Sequence, residues 1–315
     1  MVFQRCLLFS IILIAHFYTV QSIVSTGGYP LAYEIYNGKK YEGDTMLPIL
    51  NLFKRKYKLQ DLVVVADAGL LSSKNIESLK NNGYQCILGA RIKNESKPIT
   101  AQILALPLEN GASSLLQKDN GSKLIISYSA ARAKKDNANR ARGIQKLEKQ
   151  IKSGNLTKAQ INNKGYNKFL KMNGEIKIEV DKTKITADKK WDGLKGFITN
   201  TNLSKEAVIE NYGHLWQIEK AFRVAKTDLK VRPIYHYVQR RIEAHICLAF
   251  VAYKIYKELE RLLKENKSTL SPEKAIEIAK TIYSIKAIKP KSKQTFQKTL
   301  LLNDEQRNLI ALFYP

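Results

Sequence analysis

The stretch VVVADAGLL, residues 63–71, decides the fold class of this chain. Four apolar residues precede a single aspartate, Asp67, which is followed by Ala68 and Gly69. A short apolar run of this kind is typical of a buried strand in a parallel sheet. In α/β proteins, sites lie at the carboxyl ends of such strands. Asp67 is therefore a candidate functional carboxylate.

The segments on either side predict the rest of an α/β core. Before VVVADAGLL come a predicted half-buried strand, in which apolar and polar residues alternate, then a turn and a helix. After it come a second helix and a second apolar strand. An order of strand, helix and strand predicts an α/β sheet. The predicted segments are PLAYEIY (30–36), the turn Asn37-Gly38, a helix from near Asp44, a helix over SSKNIESLK (72–80) that ends at Asn82-Gly83, and YQCILGA (84–90).

Composition describes a basic, globular chain. Its 315 residues, 44% of them hydrophobic, allow two domains or one domain with a large insertion. It has 53 Lys and Arg against 28 Asp and Glu, a formal charge of +25, which favours a polyanionic partner such as nucleic acid. The alternative is the generally basic composition of a protein from a lysine-rich, AT-biased genome.

The three cysteines predict neither a disulfide framework nor a zinc site. Cys6, Cys86 and Cys247 have no CxxC spacing and no histidine cluster beside them. We expect them to be buried thiols in a reducing compartment, which predicts a cytoplasmic protein.

The first 22 residues, MVFQRCLLFSIILIAHFYTVQS, differ from the rest of the chain. Arg5, the apolar run that follows it and Ser22 together resemble a secretory signal peptide, and the run is short for a membrane span. The other interpretation is a start read out of its natural frame and joined to the middle of a domain. Either interpretation predicts a leader that is separate from the core.

Residues 92–190 predict an inserted module that contains strands and a basic helix. KLIISYS (123–129) and EIKIEV (175–180) alternate like strands with one exposed face. ARAKKDNANRARGIQKLEKQIKSGN (131–155) is helix-prone and basic, and it is either a solvated surface or a nucleic-acid contact. The basic residues concerned are Arg132, Lys134, Lys135, Arg140 and Arg142.

A long helix is predicted from near Ser204 to Lys230. Tyr212, Glu219 and Lys226 follow one another at seven-residue spacing, so one continuous helix would project them from the same side. Glu219 is either a surface acid paired with Arg223 or a carboxylate that faces Asp67. Two carboxylates of this kind can hold Mg²⁺, which prefers hard oxygen ligands.

YGHLWQIEKAFRVAKTDLKVRPIYH (212–236), together with VVVADAG and GYPLAYEIYNG (28–38), resembles the DDE-class insertion-sequence transposases. The similarity is to the branch with a β-rich insertion before the final glutamate. That branch carries a signature of Tyr, two residues, Arg, three residues, Glu, six residues and Lys. The chain matches it at Tyr212, Glu219 and Lys226, and it has Leu215 in place of the Arg.

The resemblance implies an RNase H-like core with Asp67 and Glu219 as the second and third acidic ligands of a two-metal Mg²⁺ site. It implies cleavage of a DNA strand at the element's terminal inverted repeats, followed by strand transfer. It also implies DNA contacts at Tyr212 and Lys226 and, from further motifs, at Trp191, Arg232 and His236. Trp191 alternatively anchors the insertion against the core, and Arg232 and His236 alternatively have structural roles.

The family also needs a first aspartate on the opening strand of the core, upstream of GYPLAYEIYNG. Residues 1–22 contain no acid. The sequence therefore predicts a frameshifted or truncated chain whose core is incomplete at its N-terminal strand and whose activity is impaired.

The predicted organisation has five parts: an aberrant leader (1–22), the first part of the core (23–91), the insertion (92–190), the second part of the core with the glutamate helix (191–265) and a helical tail (266–315). The expected partner is DNA, with a possible homodimer and no stable membrane partner. The rival hypotheses are a DNA-binding remnant without catalysis and an exported basic protein.

Overall fold

The computed structural model describes residues 5–15, 18–37, 42–59, 62–68, 73–118, 121–154, 156, 161–162, 164–173, 177–227 and 234–313. Within these residues the protein is a mixed α/β structure, as the sequence predicts. The elements in chain order are β1 (Arg5–Ala15), β2 (Tyr18–Ser25), β3 (Pro30–Asn37), α1 (Glu42–Lys56), β4 (Leu62–Ala66), α2 (Ser73–Asn81), β5 (Gln85–Ala90), α3 (Lys97–Ala105), β6 (Ser113–Gln117), β7 (Lys123–Tyr128), α4 (Ala130–Lys152), β8 (Leu170–Asn173), β9 (Lys177–Val180), α5 (Lys182–Lys189), β10 (Leu194–Thr199), α6 (Lys205–Gly213), α7 (Trp216–Thr227), α8 (Gln239–Glu265), α9 (Pro272–Ala279), β11 (Tyr283–Ile288), β12 (Thr295–Leu300) and α10 (Asp304–Ala311).

The chain divides into two compact units. The first consists of Met1–Ile11 and Lys39–Trp216, and the second consists of Ile12–Gly38 and Gln217–Pro315.

The first unit is built on a sheet in which β4 is central. β4 pairs in parallel with β1 on one side and with β5 on the other. β10 continues the sheet antiparallel to β5, and β7 and β6 extend it further. All five residues of β4 are buried, because strands cover both of its edges and side chains cover both of its faces. The buried strand predicted from VVVADAGLL is confirmed.

Residues that the sequence predicted as a leader form two strands of the structure. The sequence predicted that residues 1–22 are a leader and that the core lacks its first strand, but residues 5–15 form β1 and residues 18–25 form β2. Arg5 to Leu8 pair with Leu62 to Val65. A mostly apolar run is also typical of a parallel strand inside a sheet, so the same pattern fits a leader and a core strand.

The region predicted as an insertion is joined to the core sheet at one end. Its strands β6 and β7 belong to that sheet, whereas β8 and β9 form a small sheet of their own. The basic helix α4 packs near this small sheet around a cluster formed by Leu147, Phe169 and Leu170. The predicted strands KLIISYS and EIKIEV correspond to β7 and β9.

The second unit combines the β2–β3 hairpin with the C-terminal helices. α8 packs on the hairpin through Val20, Ile242 and Ile246. α8, α9 and α10 share a cluster that includes Leu263, Ile278 and Leu309. The tail was predicted to be helical, and α9 does start at Pro272 after the cap residue Ser271. Between α9 and α10, however, lies the hairpin of β11 and β12, so the helical prediction is wrong there.

The cysteine prediction is only partly confirmed. Cys86 is buried, and burial raises the pKa of its thiol to about 11. Cys247 is exposed, so the prediction of buried thiols is wrong for this residue. The side chain of Cys6 lies outside the described residues.

One glycine in α4 generates a stability test. Gly143 is buried in the helix, and a Cβ atom built on it would lie 2.3 Å from Cδ1 of the Tyr166 ring. An alanine normally stabilises a helix interior by about 1 kcal/mol over glycine. Here overpacking outweighs that gain, and we expect Gly143→Ala to lower the free energy of unfolding by about 1–3 kcal/mol in urea titrations.

Gly213→Ala is the control, because nothing lies within 4 Å of a Cβ atom built on Gly213, the last residue of α6. This variant should be as stable as the parent or slightly more so. If Gly143→Ala were equally harmless, the close contact with Tyr166 would be wrong.

Candidate metal and nucleic-acid site

Asp67 is the first residue after β4, at the carboxyl end of the buried strand. Its side chain is exposed, whereas the five residues before it are buried. An ionised carboxylate would be costly inside a strand that is buried on both faces, and the acid lies where that burial ends. The predicted position of Asp67 at a strand end is confirmed.

Tyr212 lies on α6 and packs beside this strand end. A Cβ atom built on Gly89 of β5 would lie 2.4 Å from Tyr212 Oη and 3.1 Å from Ala68 N, so the phenol and the residue after Asp67 border the same narrow space. The absence of a side chain at Gly89 makes this approach possible. The Tyr212 ring contacts the Phe197 ring edge-on, with centroids 4.9 Å apart.

Lys195 adds a positive charge to the same place. Its Nζ atom lies 4.4 Å from the centroid of the Tyr212 ring and 5.4 Å from that of Phe197. Such cation–π contacts hold a lysine over an aromatic face. The sequence prediction missed Lys195, because a single lysine in a strand gives no signal of its spatial neighbours.

The predicted long helix is two helices. α6 ends at Gly213, His214 and Leu215 form a turn, and α7 begins at Trp216. The prediction of one continuous helix is therefore wrong, and its seven-residue spacing no longer sets Tyr212 and Glu219 on one side. The break directly follows Gly213, and glycine is a poor helix former.

Glu219 is exposed in the first turn of α7. A negative charge there interacts favourably with the positive end of the helix dipole. Lys226 follows two turns later on the same helix, and its side chain lies outside the described residues. Asp67 belongs to the first unit and Glu219 to the second.

A buried ion cluster fixes α7 within the second unit. Lys220 Nζ lies 2.7 Å from Glu260 Oε1 of α8, and Lys257 pairs with the other oxygen of the same carboxylate. Lys257 and Glu260 are only 6% and 7% exposed. Burial alone raises the pKa of Glu260, but the hydrogen bonds from the two lysines outweigh it and lower the pKa from 4.5 to about 2. The sequence prediction did not identify these residues, since charges on an amphipathic helix usually face solvent.

A cleft in the first unit is a further candidate for contact with nucleic acid. It has a volume of about 730 Å³ and lies between the ends of β5 and β10, the helix α4 and the turn that carries Tyr166. Trp191 borders it and is half-buried against a cluster that includes Ile92 and Ile198. These contacts support the anchoring role of Trp191 and leave part of its ring at the cleft.

The basic residues of α4 do not act as one group. Arg140 is 4% exposed and forms a bidentate pair with Asp192 and a further bond to Asp188. Neither of the two predicted roles, solvated surface or nucleic-acid contact, holds for Arg140, because its guanidinium is already paired inside the protein. Arg132 pairs with Asp136, while Lys134 and Lys135 are exposed. Sequence spacing did not reveal the two aspartates, which come about 50 residues later.

Of the two residues predicted from VRPIYH, Arg232 lies outside the described residues. His236 is exposed just before α8, and its ring lies 5.9 Å from that of His245 on α8.

Carboxylates are the ligands that Mg²⁺ prefers, and Asp67 and Glu219 fit it by the chemistry of their exposed oxygens. Within the described ranges, no three His, Cys, Asp or Glu residues form a cluster that could hold a metal ion. Among the helices that the structure describes, none is both long and apolar enough to cross a membrane.

Comparison with known proteins gives one family. The model of the transposase DDE domain matches residues 15–255 of the chain. No curated protein matches. Among solved structures, the chain is similar to the piggyBac transposase in a cryo-EM structure of its synaptic complex with hairpin DNA. The TM-score is 0.47 at 6% identity, with 86% of this chain and 50% of that one covered, so the chain spans about half of that protein's length.

The ion cluster on α7 generates a pH prediction. A carboxyl group whose pKa is lowered by folding contributes stability that is present above pH 4.5 and is lost as the pH falls towards 2. Glu260→Gln should therefore lower the free energy of unfolding at neutral pH by about 3 kcal/mol, since it leaves two lysines without their counter-charge. It should also flatten the pH dependence of stability in this acid range, measured by urea unfolding at several pH values.

Glu258→Gln is the matched control, two residues away on the same helix, where Glu258 pairs with Arg261 at the surface. It should change stability little and keep the acid dependence. An unchanged acid dependence in Glu260→Gln would contradict the buried pairing.

Proposed function

Because the chain belongs to the family of transposase DDE domains, we propose that it is the transposase of a bacterial-type insertion sequence, which cuts and joins DNA strands. The fold of this family is RNase H-like, and its members use divalent metal ions. The observation that carries the proposal is Asp67 at the carboxyl end of the buried strand β4, inside the residues that match the family.

We propose Asp67 and Glu219 as the carboxylates that hold the metal, Mg²⁺ being the expected ion. When bound, such ions activate a water or a 3′-hydroxyl and stabilise the leaving oxygen of a phosphoryl displacement. Each carboxylate has its own local support. Tyr212 packs beside Asp67, and Lys220 fixes the helix that carries Glu219.

The DNA itself is proposed to contact Tyr212, Lys226, Trp191, Arg232 and His236. The exposed part of Trp191 at the cleft supports this, since aromatic rings stack on bases without regard to sequence. Lys195 beside Tyr212 is an additional candidate for a phosphate contact. The terminal inverted repeats of the element are the proposed target, the cytoplasm the proposed location and a homodimer the proposed assembly.

We further propose that catalysis is impaired, because β1 contains no aspartate or glutamate. The register of the sheet pairs Leu8 with Val65, and continuing it by two residues brings Ser10 level with Asp67. Residues that lie directly opposite each other on adjacent parallel strands have their side chains on the same face of the sheet. Position 10 is therefore where an acid on the opening strand would stand beside Asp67.

This register gives a gain-of-function test. Ser10→Asp should confer Mg²⁺-dependent nicking of supercoiled plasmid, at least about a hundredfold above the parent chain, by supplying the missing charge. Ser10→Asn is the matched control, with a similar size and no charge, and it should stay inactive. Nicking should be followed on gels with Mg²⁺ and with EDTA, and DNA binding should be measured in parallel.

Adding Asp67→Asn or Glu219→Gln to Ser10→Asp should abolish nicking and leave DNA binding intact. Nicking that survives either second substitution would refute the metal assignment. Intact DNA binding without nicking in every variant would favour the DNA-binding remnant, and a chain that binds no DNA would refute the proposed function.

A further inference from the structure

The hairpin formed by β11 and β12 projects an exposed surface from the second unit. Eleven of its twelve strand residues are exposed, and only Leu300 is half-buried. The hairpin lies beyond residues 15–255, so the family match does not account for it.

The charge of the hairpin has one sign. Between Tyr283 and Leu300 there is no aspartate or glutamate. The same segment contains five lysines, Lys286, Lys289, Lys291, Lys293 and Lys298. Three of them lie in the connection between the strands, at the tip of the hairpin. Such a segment attracts a polyanion and repels other basic surfaces.

The two faces of the hairpin differ. Directly paired residues share a face, so Ser284, Lys286 and Gln297 lie on one side together with Ile288, and Gln297 donates a hydrogen bond to Ser284 there. Tyr283, Ile285 and Phe296 lie on the other side with Lys298, and they are exposed by 63%, 54% and 46%. Hydroxyl, amide and ammonium groups are the usual partners of phosphate oxygens, and apolar groups contact sugars and thymine methyls.

Both ends of the hairpin are held in place. At the base, Gln306 of α10 donates to Thr281 and accepts from the backbone N–H of Leu302. At the tip, Lys289 and Gln294 are joined by a backbone hydrogen bond, and Lys293 takes a left-handed conformation with φ of 55°. A defined two-stranded ribbon has the dimensions to enter the major groove of duplex DNA.

We propose that the β11–β12 hairpin is a duplex-DNA-binding ribbon that holds DNA through its lysines. The assignment rests on the proposed function, because it names a second contact with the same DNA substrate. The ribbon as a whole favours DNA over a protein partner, even though one of its faces is largely apolar. Every ionised side chain of the ribbon is positive, and DNA is a polyanion.

The test compares two triple variants of the full chain in binding to a short duplex of arbitrary sequence over a range of salt concentrations. The ribbon variant is Lys286→Gln, Lys291→Gln, Lys293→Asn. The control is Lys254→Gln, Lys274→Gln, Lys267→Asn, which removes three exposed charges of the same unit and includes Lys267, whose φ of 52° matches that of Lys293. Asparagine tolerates this conformation, so neither variant strains the backbone.

The ribbon variant should bind more weakly and reduce the slope of log affinity against log salt by about 2–3, close to one for each phosphate that a lysine no longer neutralises. The control should keep the parental slope. Equal slopes in the two variants, with the parent chain binding normally, would overturn the ribbon alone. A parent chain that binds no duplex would overturn the proposed function as well as the ribbon. Binding only to vesicles of phosphatidylserine and phosphatidylcholine would assign the ribbon to a membrane surface, and it would overturn the proposal that the ribbon binds DNA.

Discussion

The parallel pairing of β4 between β1 and β5 is the constraint on which the first unit depends. A strand that is hydrogen-bonded on both edges and covered on both faces cannot accommodate a charge, so Leu62–Ala66 are all buried and the first acid comes at Asp67. The same pairing aligns the end of β4 with β5, where Gly89 leaves room for the hydroxyl of Tyr212. The local chemistry of Asp67 is therefore a consequence of how its strand is buried.

The sequence predicted those elements whose pattern has only one physical interpretation. The apolar runs of β4 and β5 and the helix α2, which ends at a turn, fall into this class. β1 does not, because a central parallel strand and the apolar part of a leader have the same composition. Only its pairing with Leu62–Val65 distinguishes the two, and pairing is a long-range property that local sequence does not contain.

Prediction of the candidate site had a similar limit. The position of Asp67 could be predicted from one strand. The burial and pairing of Arg140, in contrast, depend on Asp188 and Asp192, which lie about 50 residues further along the chain. A basic helix indicates charge, and only the fold determines which of those charges are neutralised inside the protein. The net charge of +25 is therefore distributed unevenly, and the charge of Arg140 is buried and paired while the lysines of the β11–β12 hairpin are exposed.

The buried ion cluster around Glu260 influences the orientation of an exposed charge, that of Glu219 on α7. Successive residues on a helix point about 100° apart, so the pairing of Lys220 with α8 fixes the rotation of α7 about its axis. Glu219, the preceding residue, is then turned away from that contact and remains exposed. The two lysines donate directional hydrogen bonds to one carboxylate, and this geometry favours one rotation of α7. The desolvation cost of Lys257 and Glu260 is offset by their ion pair and by the hydrogen bond from Lys220, and the same contacts orient the helix that carries Glu219.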